Sequence, residues 1–233
     1  MEDVPSPGTS LSGLVCFDLD GVIADSRNGI AYCINLALAE VGADALAPDA
    51  VDRYIGPPLI HGFREMLGDA GLDPARAGDC VATYRRHYGL ASLAHTTAFP
   101  GIREAVERIA TITDVALVTS KLEVFARPLL ASLQVDQWID AVFSPPPERD
   151  DEPKEATLSR AIRSMGAEDR PVVMVGDRSH DILAALANGA VPIGVQWGFG
   201  SRHELELAGA SLIAQTPMEL VPMIEQVIGT ARG

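Results

Sequence analysis

The sequence predicts an α/β chain: a doubly wound, Rossmann-like parallel sheet with an inserted helical domain. Three observations carry this. Short, continuous apolar runs recur ("LVCF", "VALV", "VVMV", "PIGV") without the alternation of a half-solvated sheet, as strands covered by helices on both faces require. Helix-period segments lie between them, so successive strands run parallel through right-handed crossovers. One connection, after the first run, spends about 90 residues before the next strand, far more than a crossover loop needs.

Each element follows in order. Leu14–Phe17 is the first strand, and two acids, Asp18 and Asp20, come straight after it. Residues 27–96 hold three helical patterns, "RNGIAYCINLALAEVG", "LIHGFREMLGDAG" and "PARAGDCVATYRRHYG", and are expected to form the separate helical unit. The core would then comprise residues 1–26 and 97–233, with Pro100-Gly101 marking the return. "IREAVERIATI" is a helix, "VALVTS" (115–120) a strand, and "LEVFARPLLASL" a helix in which Pro128 predicts a kink or an early stop. "AVF" (141–143) is a weak strand, and the acidic, Pro-rich "SPPPERDDEP" (144–153) reads as a solvated loop. "KEATLSRAIRSMG" is a helix ending at Gly166, "VVMVGD" (172–177) a strand, "HDILAALANGA" a helix ending at Gly189, and "PIGVQW" (192–197) a strand. Ser201 with Glu204, and Thr216 with Glu219 around Pro217, have capping-box spacing.

Composition narrows the function classes. With 47% apolar residues in 233, the chain is globular. No apolar run approaches the roughly 20 residues of a membrane span, and "MEDVPSPGTSLSG" reads as a short loose tail without a positive n-region. Three widely spaced cysteines (Cys16, Cys33, Cys80) oppose a disulfide framework and fit a reducing cytoplasm. A net charge of −14 opposes nucleic-acid and anionic-membrane partners. Only two of the 18 basic residues are lysines, Lys121 and Lys154. A compact ammonium and a planar guanidinium are not interchangeable, so both positions stand out.

The chemistry gathers at strand ends. Asp18 and Asp20 share one parity, roughly 7 Å apart along an extended chain. Ligands of open α/β sheets bind beyond the carboxyl ends of the strands. Thr119-Ser120-Lys121 and Gly176-Asp177 end two further strands, and Lys154 opens a helix before one of them. If those strands are neighbours, their loops meet in one crevice. Carboxylates packed together (18, 20, 177, with 181 a further candidate) call for a hard divalent cation, and oxygen-only ligands suit magnesium. Hydroxyls and amides at Thr119 and Ser120, with Lys154, suit phosphoryl oxygens. One acid can then attack phosphorus to form an aspartyl-phosphate while the other protonates the leaving oxygen.

These motifs resemble the haloacid dehalogenase-like hydrolase superfamily, over essentially the whole chain after the tail. "DLDGV", Thr119, Lys154 and "GDRSHD" look like its four motifs in order, and the insert lies where the family places a helical C1 cap. "FDLDGVIADS", "YIGPPL", "FPGI", "VTSK", "VGDRSHDI" and "GFGSRHELELAGA" resemble the phosphoglycolate phosphatase-like branch, which includes 5′-nucleotidases and pyrophosphatases. The resemblance implies Asp18 as nucleophile, Asp20 as general acid/base, and Thr119, Ser120 and Lys154 as phosphoryl holders. It also implies magnesium on Asp18, Asp20 and Asp177, with Asp181 on or beside the metal. One departure is Lys154-Glu155 in place of the family's usual Lys-Pro.

The implied activity is hydrolysis of a small phosphorylated metabolite, phosphoglycolate first, with a nucleotidase, pyrophosphatase or phosphosugar mutase as alternatives. The insert contains no lysine, which disfavours a Schiff-base branch. Arg53, His61 and Arg64 are read as a solvated helix face, "YRRHY" (84–88) as a surface patch, and Arg178, His180 and His203 as structural or exposed. A receiver-type phospho-acceptor shares the residue types but is about half as long and lacks the insert. A sugar-phosphate binder that had abandoned catalysis has no reason to keep both Asp18 and Asp20. The oligomeric state is left open.

Overall fold

The computed structural model describes residues 13–56 and 58–230. The tail reading, on residues 1–12, and Pro57 of "GPP" lie outside the described residues. Six strands among the described residues form one parallel sheet: β1 (Leu14–Phe17), β4 (Asp114–Val118), β5 (Ala141–Phe143), β6 (Val172–Gly176), β7 (Val191–Val195) and β8 (Leu212–Ala214). Their spatial order is β5-β4-β1-β6-β7-β8. Counting these strands along the chain, that is 3-2-1-4-5-6, the doubly wound Rossmann order.

The first strand is therefore central, and the order reverses beside it. Phe17 pairs with Leu117 of β4 on one side and Val175 of β6 on the other. Asp18, Thr119 and Asp177 accordingly leave three adjacent strands at one edge of the sheet. The strand of "VALVTS" stops at Val118, so Thr119 and Ser120 lie just beyond its end.

Successive residues of β1 face opposite layers. Val15 and Phe17 pack with α4 (Ile102–Ala110), α5 (Glu123–Ser132) and α9 (Leu220–Thr230) through Ile102, Val106, Leu129, Ile224 and Ile228. Leu14 and Cys16 pack with Leu158 and Ala161 of α6 (Lys154–Ser164) and Ala184 and Ala185 of α7 (Ser179–Ala187). A short helix, α8 (Arg202–Leu207), follows β7, its N-cap Ser201 accepting from the Glu204 amide.

The structure departs from the sequence expectations in several places. Helix α5 runs through Pro128 to Ser132 without stopping, because Ala126, Leu129 and Leu130 on either side are seated in the core and hold it. Strand β8 was not expected. Its three residues sit at the sheet edge, two of them only half-buried, so they lack a strong apolar signal.

Residues 24–98 leave and rejoin the sheet body through a two-stranded antiparallel ribbon, β2 (Ala24–Asp25) and β3 (Thr97–Ala98). Between them lie α1 (Arg27–Val41), α2 (Leu59–Asp69) and α3 (Ala77–His95). These helices share an apolar cluster of their own, with Ile34, Leu38, Phe63, Leu67, Tyr84 and Tyr88 inside it. In "YRRHY" only Arg86 and His87 are exposed, while both tyrosines are buried, which corrects the surface reading. Arg53, His61 and Arg64 are exposed. All three cysteines are free and buried, and no helix of the described residues is long and apolar enough to cross a membrane.

Candidate active site

A cavity of about 530 Å³ opens between the carboxyl edge of the sheet and the helical layer. Its floor includes Asp18, Asp20, Thr119, Ser120, Lys121 and Lys154, so most of the expected residues converge there. Asp177 and Asp181 are wholly buried just beneath.

The three acids at the ends of β1 and β6 are held in one pattern. Asp18 Oδ2 lies 2.7 Å from the Lys154 ammonium. Asp20 Oδ2 lies 3.0 Å from the Lys121 ammonium. Asp177 Oδ2 accepts from the Phe199 amide at 2.7 Å. In each the other oxygen, Oδ1, is buried without a hydrogen-bond partner. A buried bare carboxylate oxygen is costly, so each of the three marks a point where a donor or cation from outside the chain belongs.

Local structure explains how these acids are placed. After β1 the chain turns through residues 19–24, with Gly21 at φ +83 and its amide bonded to Ala24 O. A side chain at Gly21 would also meet Asp177 Oδ2 at 2.1 Å, so glycine is required on two counts. On the far side Gly198 and Gly200 close over Asp177, where added Cβ atoms would lie 2.4 and 1.8 Å from it. "GFG" is thus the wall that presents the Phe199 amide, and Trp197 Nε1 ties the same loop to Val22 O at 3.0 Å.

Lys154 opens α6, where a positive charge opposes the helix dipole. Two carboxylates compensate: Asp18 Oδ2, and Asp181 Oδ1 at 2.5 Å. Asp181 Oδ2 accepts the Arg178 amide at 3.0 Å, capping α7. Both oxygens of Asp181 are therefore engaged. Asp18, His180 and Asp181 lie close enough to hold a metal together, but the Lys154 ammonium already stands between the two acids.

Titration directions follow from this packing. Burial raises the Asp18 carboxyl to about 6, against the pull of Lys154 and helped by the Asp181 charge. Burial, then Asp181 and Asp18, raise Asp177 well above the ordinary carboxylate range. Asp181 ends below that range, since Lys154 and His180 outweigh its burial. Burial lowers His180 to about 4, which keeps its imidazole neutral near pH 7. Both lysines stay charged: burial pulls them down, but Asp18 and Asp181 at Lys154, and Asp20 and Tyr88 at Lys121, outweigh it.

Thr119 is buried, its amide spent on Phe143 O and its hydroxyl accepting from the Lys121 amide, which leaves the hydroxyl proton to donate. Four carboxylates thus face two ammonium groups. A divalent cation would add positive charge among them, and the bare Oδ1 atoms of Asp18 and Asp177 are hard donors of the kind magnesium or a similar ion takes.

Sequence reasoning missed several cavity residues. Tyr54, Tyr84, Tyr88 and Phe125 supply an aromatic wall. Asp150, Asp151 and Glu152 of the Pro-rich loop line the cavity instead of pointing only to solvent, and Arg85 of α3 pairs with Asp150 across its mouth. Arg178 reaches Ile55 O at 2.6 Å and Asp52 O at 3.2 Å on the helical unit, while pairing with Glu204 at 3.0 Å. The sequence marked Lys121 by its place at the end of a strand and as one of two lysines, but gave it no role.

Comparison with known proteins agrees with this architecture. The haloacid dehalogenase-like hydrolase family matches residues 15–195. A 5′-nucleotidase of Pseudomonas aeruginosa is 35% identical over 82% of this chain and 86% of its own. The tyrosine-protein kinase PtkA of Mycobacterium tuberculosis is 30% identical over 89% of this chain and 70% of its own. A crystal structure described as a predicted phosphatase from Clostridium acetobutylicum is 28% identical, superposing with a TM-score of 0.84 over 93% of this chain and all of its own. Matched through both the sheet body and the helical layer, the chain belongs to the haloacid dehalogenase-like hydrolase family.

Proposed function

We propose that this protein is a magnesium-dependent phosphatase that hydrolyses a small phosphomonoester through an aspartyl-phosphate on Asp18. The observation that carries the reading is the set of three bare oxygens, Oδ1 of Asp18, Asp20 and Asp177, each on an acid whose Oδ2 is already fixed. Asp18 and Asp177, with the Asp20 backbone carbonyl, would hold magnesium. The ion would supply the charge that lets an anionic ester approach a carboxylate nucleophile. Asp181 is proposed as the residue that anchors Lys154 and caps α7, beside the metal rather than on it.

The chain's own residues then divide the work. Asp18 attacks phosphorus, Asp20 protonates the leaving oxygen, and Asp20 next takes a proton from the water that cleaves the aspartyl-phosphate. Thr119, Ser120 and Lys154 hold the non-bridging oxygens. The helical layer, as a cap over residues 27–96, excludes bulk water.

The cavity wall moves the substrate reading from phosphoglycolate toward a nucleoside 5′-monophosphate. Tyr54, Tyr84, Tyr88 and Phe125 make that wall aromatic, the Asp151 carboxylate disfavours a second carboxylate on the substrate, and Arg85 is already paired with Asp150. The similarity to a 5′-nucleotidase supports the same direction. Buried free thiols fit the reducing cytoplasm expected from the sequence.

The test is phosphate release from nucleoside monophosphates, phosphoglycolate, hexose phosphates and pyrophosphate, with magnesium and with chelator, on wild type and Asp18→Asn. Magnesium-dependent release that vanishes in the variant is expected, with nucleotides preferred. Wild-type silence toward every ester would sink the phosphatase reading.

A further inference from the structure

Lys121 has no part in the scheme above, yet its side chain is nearly as withdrawn from solvent as that of Lys154. Its side chain is 7% exposed, and its ammonium lies 3.0 Å from Asp20 Oδ2. The same ammonium donates to the Tyr88 hydroxyl and lies 4.3 Å from the centre of the Tyr88 ring. Tyr88 belongs to α3 of the helical layer and is held between a stacked Tyr84 at 4.9 Å and an edge-on Phe125 at 5.3 Å. One chain of contacts therefore runs from the helical layer, through a lysine of the sheet body, to the second acid.

That chain gives Asp20 an orientation it could not keep alone. The residue sits on a turn, free of the sheet ladder apart from one bridge to Ala24. With Oδ2 tied to Lys121, rotation about its terminal torsion is blocked and Oδ1 remains the bare oxygen. We propose that Lys121 is the positioning residue for Asp20, and that Tyr88 makes this positioning conditional on the helical layer being seated. The inference rests on the phosphatase reading.

In the first half-reaction an Asp18 oxygen bonds to phosphorus, and the ester P–O bond breaks with its electron pair on the leaving oxygen. That oxygen takes the proton from Asp20 Oδ1. In the second, water oxygen bonds to the same phosphorus, its proton passes to Asp20 Oδ1, and the Asp18–phosphorus bond breaks, restoring the carboxylate. Oδ2 stays with Lys121 whether or not Oδ1 carries the proton.

A rival role for Lys121 is direct binding of the substrate anion, and a double-mutant cycle separates the two. Lys121→Met, Asp20→Asn, Tyr88→Phe and the paired variants would be assayed with p-nitrophenyl phosphate, whose leaving group needs no proton, and with an alkyl phosphate. General acid–base catalysis contributes about 100- to 10,000-fold, so mispositioning should cost about 10- to 100-fold in kcat. With p-nitrophenyl phosphate, Lys121→Met should release a burst of one nitrophenolate per enzyme before slow turnover, as aspartyl-phosphate accumulates. Tyr88→Phe should show the same signature, smaller, and it preserves volume should Lys121→Met fail to fold. On the Asp20→Asn background both substitutions should change kcat less than about twofold. Additive losses, or a rise in KM alone, would overturn the positioning role and leave the phosphatase reading intact. Failure of wild type to hydrolyse either ester would overturn the phosphatase reading and this one with it.

Discussion

Lys154 stands 2.7 Å from Asp18, and both side chains are almost wholly removed from solvent. The ammonium is also 2.5 Å from Asp181, so one lysine serves two acids. Breaking such a buried set leaves uncompensated charge, at a cost of about 3–5 kcal/mol. Lys154→Met should therefore lose about that much stability in urea unfolding as well as activity. Lys154→Arg should not restore it, because a planar guanidinium does not fit a slot shaped for a point charge. Full stability in Lys154→Met would show that the pair holds nothing in place.

Proton and metal should compete at this site. Asp18, raised from an ordinary 3.8 to about 6, and Asp177, raised well above that ordinary value, bind protons more readily folded than unfolded. Their contribution is full at low pH and is lost as pH rises through about 6 and beyond. His180, lowered from 6.5 to about 4, works in the opposite sense between those values. Two carboxyls outweigh one imidazole, and above its ordinary value the imidazole no longer contributes. In chelator the melting temperature should fall from about pH 5.5 to about pH 8. Magnesium should raise it more at the higher pH, since the cation and protons share oxygens. A magnesium effect of equal size at both ends would place the ion elsewhere.

Glycines divide by what surrounds them. Gly198→Ala drives a methyl group to 2.4 Å from Asp177 and 2.5 Å from Gly21 O, so it should weaken magnesium dependence and turnover at least about tenfold, about 1.4 kcal/mol. Gly42, at φ +82 with open space around it, offers the control. Gly42→Ala should cost about 1–2 kcal/mol of stability from the left-handed backbone and leave kcat unchanged. Equal activity losses in the two variants would mean that strain, not the approach to Asp177, decides.

Arg178 links the start of α7 to two backbone carbonyls of the helical unit. Bonds from a charged donor contribute about 1.5–3 kcal/mol each, so Arg178→Ala should raise KM about tenfold or more by loosening closure. Its kcat at saturation should change less. A kcat loss without a KM change would place Arg178 in the chemistry.

The sheet and its acids were legible because buried parallel strands are continuous apolar runs, and charged residues at their ends interrupt them abruptly. Asp18, Asp20 and Asp177 announced themselves in that way. Lys121 was marked by its strand-end place and the arginine-rich background, but its partners Asp20 and Tyr88 lie on distant segments, so its role was not legible. Tyr88 was hidden among arginines because α3 presents a basic face and an aromatic face in the same five residues. Asp150 and Asp151 were hidden by a loop composition that usually means solvent. Helix α5 passed through Pro128 because core packing overrode a local preference.

The β2–β3 ribbon brings Asp25 and Thr97 side by side in antiparallel register, although 71 residues separate them. The helical layer is consequently a cassette with both ends at one doorway. A two-residue turn joining β2 to β3 would close that doorway as a hairpin and leave the six sheet strands continuous. Exchange of one cassette for another at the same two residues would change what the cavity admits without altering the strand ends beneath it.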